Sequence, residues 1–528
     1  MNKNLSLKSF LLIFKGALLS SVTINVFVAQ NVQAAEVGAS EYPLNPANPV
    51  PTAEKTSKVP RLKSMLPVNL YSSTNGELAA LDDDAYFRHF PALDVLPGYY
   101  GQDRNSIIVR DFGATPSPPQ HLLPESMAPI RRFLLSHGIN VQLTYVSEPM
   151  WNVAGGRERG GDYAAQLSLQ LDTDLKRLTH LAFLDGFTTH MMILQRSGRS
   201  LTNDRVGDHD LNLVGVYGVG NNVIAKLGYF YIEKDILDHR INLAVGRMAV
   251  AMDFATSPVY SSFLSIGLAP IALKTAAGFE ATPNSVWGGR ARLRPFLDNY
   301  LSFGAYQVSP NYGGISGWSW FEPGSQGVIL PVEDAWTPYI GRQGLVGHYR
   351  VGFAYNSVRY PSLAGTIPAQ SITEIHMGGP RHRDSFWVLG DQMLFRTGHT
   401  EYSGVIAFGG YVHNTQSITT FQDQIFGGLL TPSPIPGRKD DQFGFLFSYY
   451  HYSTTLRRGE EIRISDGLSP GKNIYGPQSD SNSIEVFYNI PVFRGIRFSP
   501  DYEYFVRPGG SSYLRSASFV GFKTSILL

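Results

Sequence analysis

From Ile139 to the end of the chain, apolar and polar residues alternate with a period of two. Tyr163, Ala165, Leu167, Leu169 and Leu171 alternate with Asp162, Gln166, Ser168, Gln170 and Asp172, and Ile139, Val141, Leu143 and Tyr145 with Asn140, Gln142 and Thr144. In an extended chain successive side chains point to opposite faces, so each segment predicts a strand with one greasy and one wet face. Shorter alternations follow at Val223–Tyr231 and Ile241–Val245, joined through Lys234–Asp238. Further strands are predicted over His348–Asn356, Ser385–Phe395, Tyr402–Tyr411, Gln442–Tyr450, Ser483–Ile490, Ile496–Val506 and Ala517–Leu528, separated by glycine, proline and asparagine clusters. Phe254–Ser285 and Asn311–Gly347 read as extended loops, one or both able to fold inward.

One hairpin carries more charge than the rest. In Val286–Pro295, the residues Arg290, Arg292 and Arg294 share a face, with Trp287, Ala291 and Leu293 opposite; Tyr300–Tyr306 is the returning strand. A wall between water and lipid has this character. Soluble antiparallel sheets with one wet face share it, and so do grooves that bind nucleic acid.

The ends of the chain narrow the choice. Lys3 and Lys8, an apolar stretch interrupted by Lys15, and the small-residue site at Val32-Gln33-Ala34 read as a secretory signal over residues 1–34. Removing the three lysines leaves 41 basic against 43 acidic residues, a balance that does not suit gripping nucleic acid through overall charge. The exported chain has no cysteine and so no disulfides. After the signal no run of 18 apolar residues occurs, which argues against a spanning helix. A closed barrel needs only about 9–11 alternating residues per crossing. The abundance of tyrosine (28) and phenylalanine (31) suits strands and interfacial aromatic girdles.

Residues 35–125 form an irregular, proline-punctuated segment in which Asp82-Asp83-Asp84 reads as a solvated turn. A short N-terminal helix follows, capped by Ser126, with Pro129 in its first turn and Gly138 at its end; Ile130, Phe133, Leu134 and His137 share a face. From Ile139, 390 residues remain, and sixteen strands would use about 24 each with their loops. The expected fold is all-β: a transmembrane antiparallel β-barrel, residues 126–528 including the leading helix, closed by pairing the last strand with the first.

Several stretches resemble the OprB family of carbohydrate-selective porins. They are Arg131–Ile139, the glycine-rich Asn152–Gly160, Leu171–Leu178, and Ile236–Leu243 leading into Val245-Gly246-Arg247-Met248 and Asp253-Phe254. The resemblance spans residues 127–528. It implies a sixteen-stranded outer-membrane barrel for passive diffusion of sugars, with glucose the usual type substrate. The chain departs from the pattern in ending at Leu528 rather than an aromatic residue, and in its longer N-terminal preface.

A sugar channel needs donors and acceptors at a constriction, aromatic faces for the ring, and binding weak enough for release. Arg290, Arg292 and Arg294 supply forked donors, rising along the strand by about 6–7 Å per pair, so that they form a ladder rather than one ring. Arg497, Asp501 and Glu503 share a face opposite Phe498, Tyr502 and Tyr504. Trp318 and Trp320 would stack on sugar if their loop folds inward, and pack as interfacial aromatics if it does not. An enzyme is disfavoured: no Gly-x-Ser-x-Gly elbow and no His-Glu-x-x-His occurs, and Asp208-His209-Asp210 reads as a polar loop, since neighbours on a strand point to opposite faces. No cofactor or metal is expected. Three readings stay open: a porin for mono- or oligosaccharides embedded in outer-membrane lipid, a porin of the same build for another small solute, and a structural or adhesive barrel plugged by residues 35–125. The sequence does not determine the oligomeric state.

Overall fold

The structure, a computed structural model, describes residues 130–527 except 131–132, 135, 210–222, 238–239, 265–269, 275–277, 297–298, 310–315, 320–324, 343–344, 364–379, 398–403, 433–434, 439–440, 472 and 494–495. The expected signal, the proline-rich segment, and the helix residues Ser126 and Pro129 lie outside the described residues. The helix's last turn is present. The His137 N–H donates to the carbonyls of Phe133 and Leu134, and Gly138, at φ +77°, turns the chain into the first strand. Ile130 and Phe133 are exposed, so their shared apolar face is not buried.

In chain order the strands are β1 (Ile139–Gly156), β2 (Gly160–Asp174), β3 (Phe187–Gly198), β4 (Val223–Ile236), β5 (Ile241–Met248), β6 (Val286–Phe296), β7 (Asn299–Val308), β8 (Gly327–Trp336) and β9 (Tyr339–Ile340). They continue with β10 (Leu345–Tyr360), β11 (Arg381–Arg396), β12 (Gly404–Asn414), β13 (Phe421–Pro432), β14 (Gln442–Tyr452), β15 (Asp480–Phe493), β16 (Ile496–Val506) and β17 (Arg515–Leu527). Neighbours pair antiparallel throughout, and β17 pairs back onto β1 from Thr144↔Leu527 to Gly156↔Arg515. The two-residue β9 continues the course of β8, both pairing with β10. Among the described residues the sheet is therefore a closed barrel of sixteen staves. No described helix is long and apolar enough to cross a membrane.

The alternation sorts as expected. On β2, Gln166, Ser168 and Gln170 are buried inward, while Leu167 and Leu169 face out. On β6, Arg290 and Arg292 are buried inward, and Trp287 and Leu293 face out. The outward face carries Val153, Val245, Val351, Phe386, Val388, Ile425 and Leu429 in exposed positions, an apolar band suited to lipid. Connections at one end are short, such as 237–240, 297–298, 341–344 and 494–495. Those at the other end include 249–285, 361–380 and 453–479, so that end is the outer one.

Three staves were not among the expected strands. β3 holds the run Met191-Met192-Ile193-Leu194, β8 contains Pro331, and β13 contains Gly427-Gly428, and each obscures the period of two. The expected loop over Asn311–Gly347 is corrected accordingly: it contains β8, β9 and the start of β10. The turn expected at Lys234–Asp238 begins later, because β4 runs on to Ile236.

Phe254–Ser285 does fold inward. It carries Val259, Tyr260, Phe263, Leu264, Ile271, Leu273 and Phe279 into a buried apolar cluster with inward residues of the wall. Phe263 meets Phe408 of β12 and Phe487 of β15 edge-on, at 5.2 and 5.0 Å between ring centroids. Tyr260 lies 5.8 Å from Phe426 of β13, and Phe279 5.6 Å from Trp387 of β11. Such edge-to-face pairs add about 0.5–1.5 kcal/mol each beyond area burial. Part of the barrel interior is thus a true hydrophobic core.

The outward assignment is testable at one residue. Leu167→Arg places a charge on the lipid face and is expected to destabilise the barrel in vesicles by about 2–4 kcal/mol if it lies at mid-depth. Urea unfolding followed by tyrosine and tryptophan fluorescence reads this, with the inward Ser168→Asn as the comparison.

Candidate functional site

The arginine ladder lies inside the barrel, and partners hold its rungs. On β6, Arg290 stands opposite Ala244 of β5, which in turn stands opposite Glu233 of β4. The small alanine leaves a gap that the guanidinium spans. Arg290 Nη2 donates to Glu233 at 2.9 Å, Nε to Asp253 at 2.6 Å, and Nη1 to Asn242. Asp253 belongs to the in-folded segment, and its second oxygen accepts from the Tyr306 hydroxyl at 3.0 Å. Arg290 is therefore a tie between wall and loop. Arg292 lies 3.8 Å from the same Asp253 carboxylate, donates to Ser302 at 3.3 Å, and stacks over the Tyr300 ring at 4.8 Å. Arg294 is half-buried nearer the short-turn end, its backbone N–H bonded to the Arg240 carbonyl.

A further arginine on β10 completes this basic face. Arg350 stands opposite Ala335 of β8, and Ala335 opposite Tyr300 of β7. Across that small residue Arg350 approaches the Tyr300 ring at 5.7 Å. It also donates to Glu333 at 2.9 Å. Glu333 is fully buried and gathers three donors: Arg350, the Trp387 indole at 2.8 Å, and the Ala255 backbone N–H at 2.8 Å. The loop is tied to the wall elsewhere in the same manner. Ser257 donates to Asp391 at 2.5 Å, the Leu264 N–H to Glu485 at 2.7 Å, and the Ala272 N–H to Gln424 at 2.9 Å. Asn414 and Lys523 donate to the loop carbonyls of Ala272 and Phe263. Inward polar groups from β8, β12, β13, β15 and β17 thus satisfy a backbone that runs through the lumen, where an unpaired N–H or C=O is costly.

A different part of the wall is acidic. Glu485 of β15 stands directly opposite Glu503 of β16, and Asp501 lies two residues along the same inward face. Ser499 and Phe505 also point inward there, while Tyr502 faces out. Glu485 accepts from the Leu264 N–H of the loop and is also hydrogen-bonded to the Asp501 carboxyl. The Glu503 carboxylate oxygens meet no N–H or hydroxyl donor among the described residues, although the residue is buried. Arg497 lies at the short-turn end of the strand, half-buried, separated from Asp501 by a further turn of the pleat. The two predicted rows therefore belong to separate staves, β6 and β16, and are not brought into one cluster.

Trp318 is partly exposed in the loop after β7. That loop hangs on the wall by backbone: the Leu227 N–H donates to the Ser316 carbonyl, and Arg247 to the Ser319 carbonyl at 2.9 Å and to Ser285 at 2.7 Å. Trp320 lies outside the described residues. Asp208 is buried and accepts from the Gly509 N–H at 2.6 Å, in agreement with a polar loop; Asp210 is outside the described residues. Among the described residues no three His, Cys, Asp or Glu side chains gather to hold a metal.

Sequence reasoning passed over Glu333, Arg350, Asp253 and Glu485. Arg350 and Glu485 alternate correctly within expected strands and were legible there. Glu333 sits in a stave hidden by Pro331, and the partners of Asp253 arise only from folding the loop inward.

A closed barrel with a lipid-suited exterior, a charged interior and a loop folded into its lumen is an outer-membrane porin, a channel rather than an enzyme. The carbohydrate-selective porin family, OprB, matches residues 158–528, and the chain belongs to that family. Porin B of Pseudomonas aeruginosa is 24% identical over 407 residues, covering 74% of this chain and 88% of that protein. The high-pH structure of Pseudomonas putida OprB has a TM-score of 0.69 at 22% identity, over 76% of this chain and 96% of that one, a likeness of fold. The protein is an outer-membrane carbohydrate porin.

Glu333→Ala would leave Arg350, the Trp387 indole and the Ala255 N–H without their shared acceptor. Removing one partner of a buried ion pair costs about 3–5 kcal/mol, so the variant is expected to show a lower thermal midpoint and noisier open-channel current in planar bilayers.

Proposed function

We propose that the permeating substrates are neutral monosaccharides, glucose among them, together with short oligosaccharides. The observation that carries this reading is the buried Glu503 carboxylate, unmatched by any protein donor among the described residues, beside the hydrogen-bonded Asp501 and Glu485 carboxyls. A sugar brings hydroxyl donors in abundance, and a buried acceptor left without one is unfavourable. Arg292, Arg294 and Arg350 supply the complementary donors, with Arg497 at the edge of the acidic face. Arg290 acts chiefly by holding the loop through Asp253. A neutral solute exchanges hydrogen bonds with both kinds of wall while gaining no strong Coulomb attraction, which keeps binding weak enough for transit. Trp318 is a further candidate aromatic contact in the outer loops, and Trp320 is proposed on sequence alone. Residues 1–34 are proposed to be removed on export, leaving the 35–125 segment ahead of a barrel that comprises 126–528.

Liposome swelling across a size series of sugars tests the reading. Glucose is expected to enter faster than an organic acid of similar size, and Asp501→Asn with Glu503→Gln is expected to slow glucose several-fold. Equal entry of all solutes of one size would leave only a general pore. Replacing Arg290, Arg292 and Arg294 together by alanine is expected to lower anion preference; an unchanged reversal potential in a salt gradient would place them off the conducting path.

A further inference from the structure

Among the described residues, four adjacent staves carry a polar row on the outward face. His413 of β12 stands opposite Asp423 of β13, Asp423 opposite His451 of β14, and His451 opposite Asp480 of β15. Four adjacent staves thus present alternating histidine and aspartate at one level. Their chain neighbours Val412, Asn414, Gln424, Tyr450, Tyr452 and Ser481 are buried inward, so the row points away from the lumen. The pattern is built twice. One oxygen of Asp423 accepts from the Tyr411 hydroxyl and from His413 Nδ1, each at 2.7 Å. One oxygen of Asp480 accepts from the Tyr449 hydroxyl at 2.6 Å and from His451 Nδ1 at 2.8 Å. Arg507 ends the row, its guanidinium 3.9 Å from the other oxygen of Asp480.

Its depth follows from position and cost. The row lies at the strand ends that lead into 415–420 and 453–479, the outer end of the barrel. Ile425, two residues deeper than Asp423, is 52% exposed and belongs to the apolar band. Charge on a barrel's lipid face costs about 2–4 kcal/mol at mid-membrane for the basic residues and about 0–1 near the interface, which places the row among outer-leaflet headgroups. Its chemistry is acceptor-rich. With Nδ1 turned to aspartate, Nε2 of each ring is left to meet a hydroxyl beside the carboxylates, and Arg507 is the guanidinium that ends the row. A headgroup carrying only phosphate would meet two carboxylates. One carrying hydroxyls as well as phosphate matches both parts.

We propose that the row His413–Asp423–His451–Asp480, ending in Arg507, is a docking strip for the phosphorylated sugar headgroup of an outer-leaflet glycolipid. The sugar hydroxyls donate to the carboxylates and imidazoles, and a phosphate pairs with Arg507. Adjacent strands are spaced by about 4.8 Å, so four staves present acceptors over roughly 15 Å, a span suited to a disaccharide.

The test places the full chain in phosphatidylcholine vesicles with and without a disaccharide bisphosphate glycolipid (lipid A), reading the thermal midpoint and single-channel conductance. The glycolipid is expected to raise the midpoint. Asp423→Leu with Asp480→Leu is expected to abolish that rise while leaving conductance unchanged, because both residues face away from the lumen. Tyr411→Phe with Tyr449→Phe, a milder pair that keeps the carboxylates, and Arg507→Gln are each expected to reduce it. A rise that survives in all three variants overturns the proposal, as does an equal rise with phosphatidylglycerol, which marks general attraction to anionic lipid. Cross-links between barrels that vanish in the aspartate variant would assign the row instead to a contact with a second copy, and overturn it likewise.

Discussion

Backbone hydrogen bonding in a medium without water is the constraint from which the rest of this structure follows. A strand in hydrocarbon has nowhere to send its N–H and C=O groups except to another strand, and a sheet with an edge leaves a row of them unmet. Here the edge is removed by pairing Arg515–Leu527 onto Ile139–Gly156, the two ends of the described sheet. Closure then divides every strand's side chains into those that meet lipid and those that meet the lumen. It places the Arg290 and Arg292 guanidiniums in one environment and Trp287 and Leu293, their neighbours in sequence, in the other.

The same constraint shapes the lumen. A segment of chain folded into the barrel carries its own backbone groups, and the inward wall receives them with Glu333, Asn414, Gln424, Glu485 and Lys523, while Asp391 takes the Ser257 hydroxyl. Those residues have structural work as well as any contact with solute. Apolar residues of the segment bury themselves against Trp387, Phe408, Phe426 and Phe487, so the interior is part core and part polar surface. Asp253 joins the two parts by tying the loop to Arg290, Arg292 and Tyr306. Glu503, by contrast, has no protein donor among the described residues, and it differs in this from the acidic groups that anchor the loop.

Legibility varied with what each inward face touches. β2 was plain because its inward residues Gln166, Ser168 and Gln170 are polar and its outward residues are not. β3 and β13 were missed where Met192, Leu194, Phe426 and Leu430 point inward yet are apolar, since they pack in the buried cluster that the loop helps to form. An inward loop turns part of a wet face dry and erases the binary pattern that marks a strand. β8 was missed because Pro331 removes a ladder donor, and with it went Glu333, a residue that gathers three loop and wall donors. The arginine row was legible as a row, but not as a set of tied groups.

What the amino-acid order determined by itself was the alternation, hence an antiparallel barrel with a lipid-suited exterior, and the family motifs that go with it. These are local properties, carried by residues two apart. Tertiary structure alone decided which partners the arginines take, which carboxylates are consumed in anchoring the loop, and that histidines and aspartates on four different strands fall into one outward row. Such contacts depend on register between strands and on the path of a loop through the lumen, and register is set by the closing of the whole barrel rather than by any one segment.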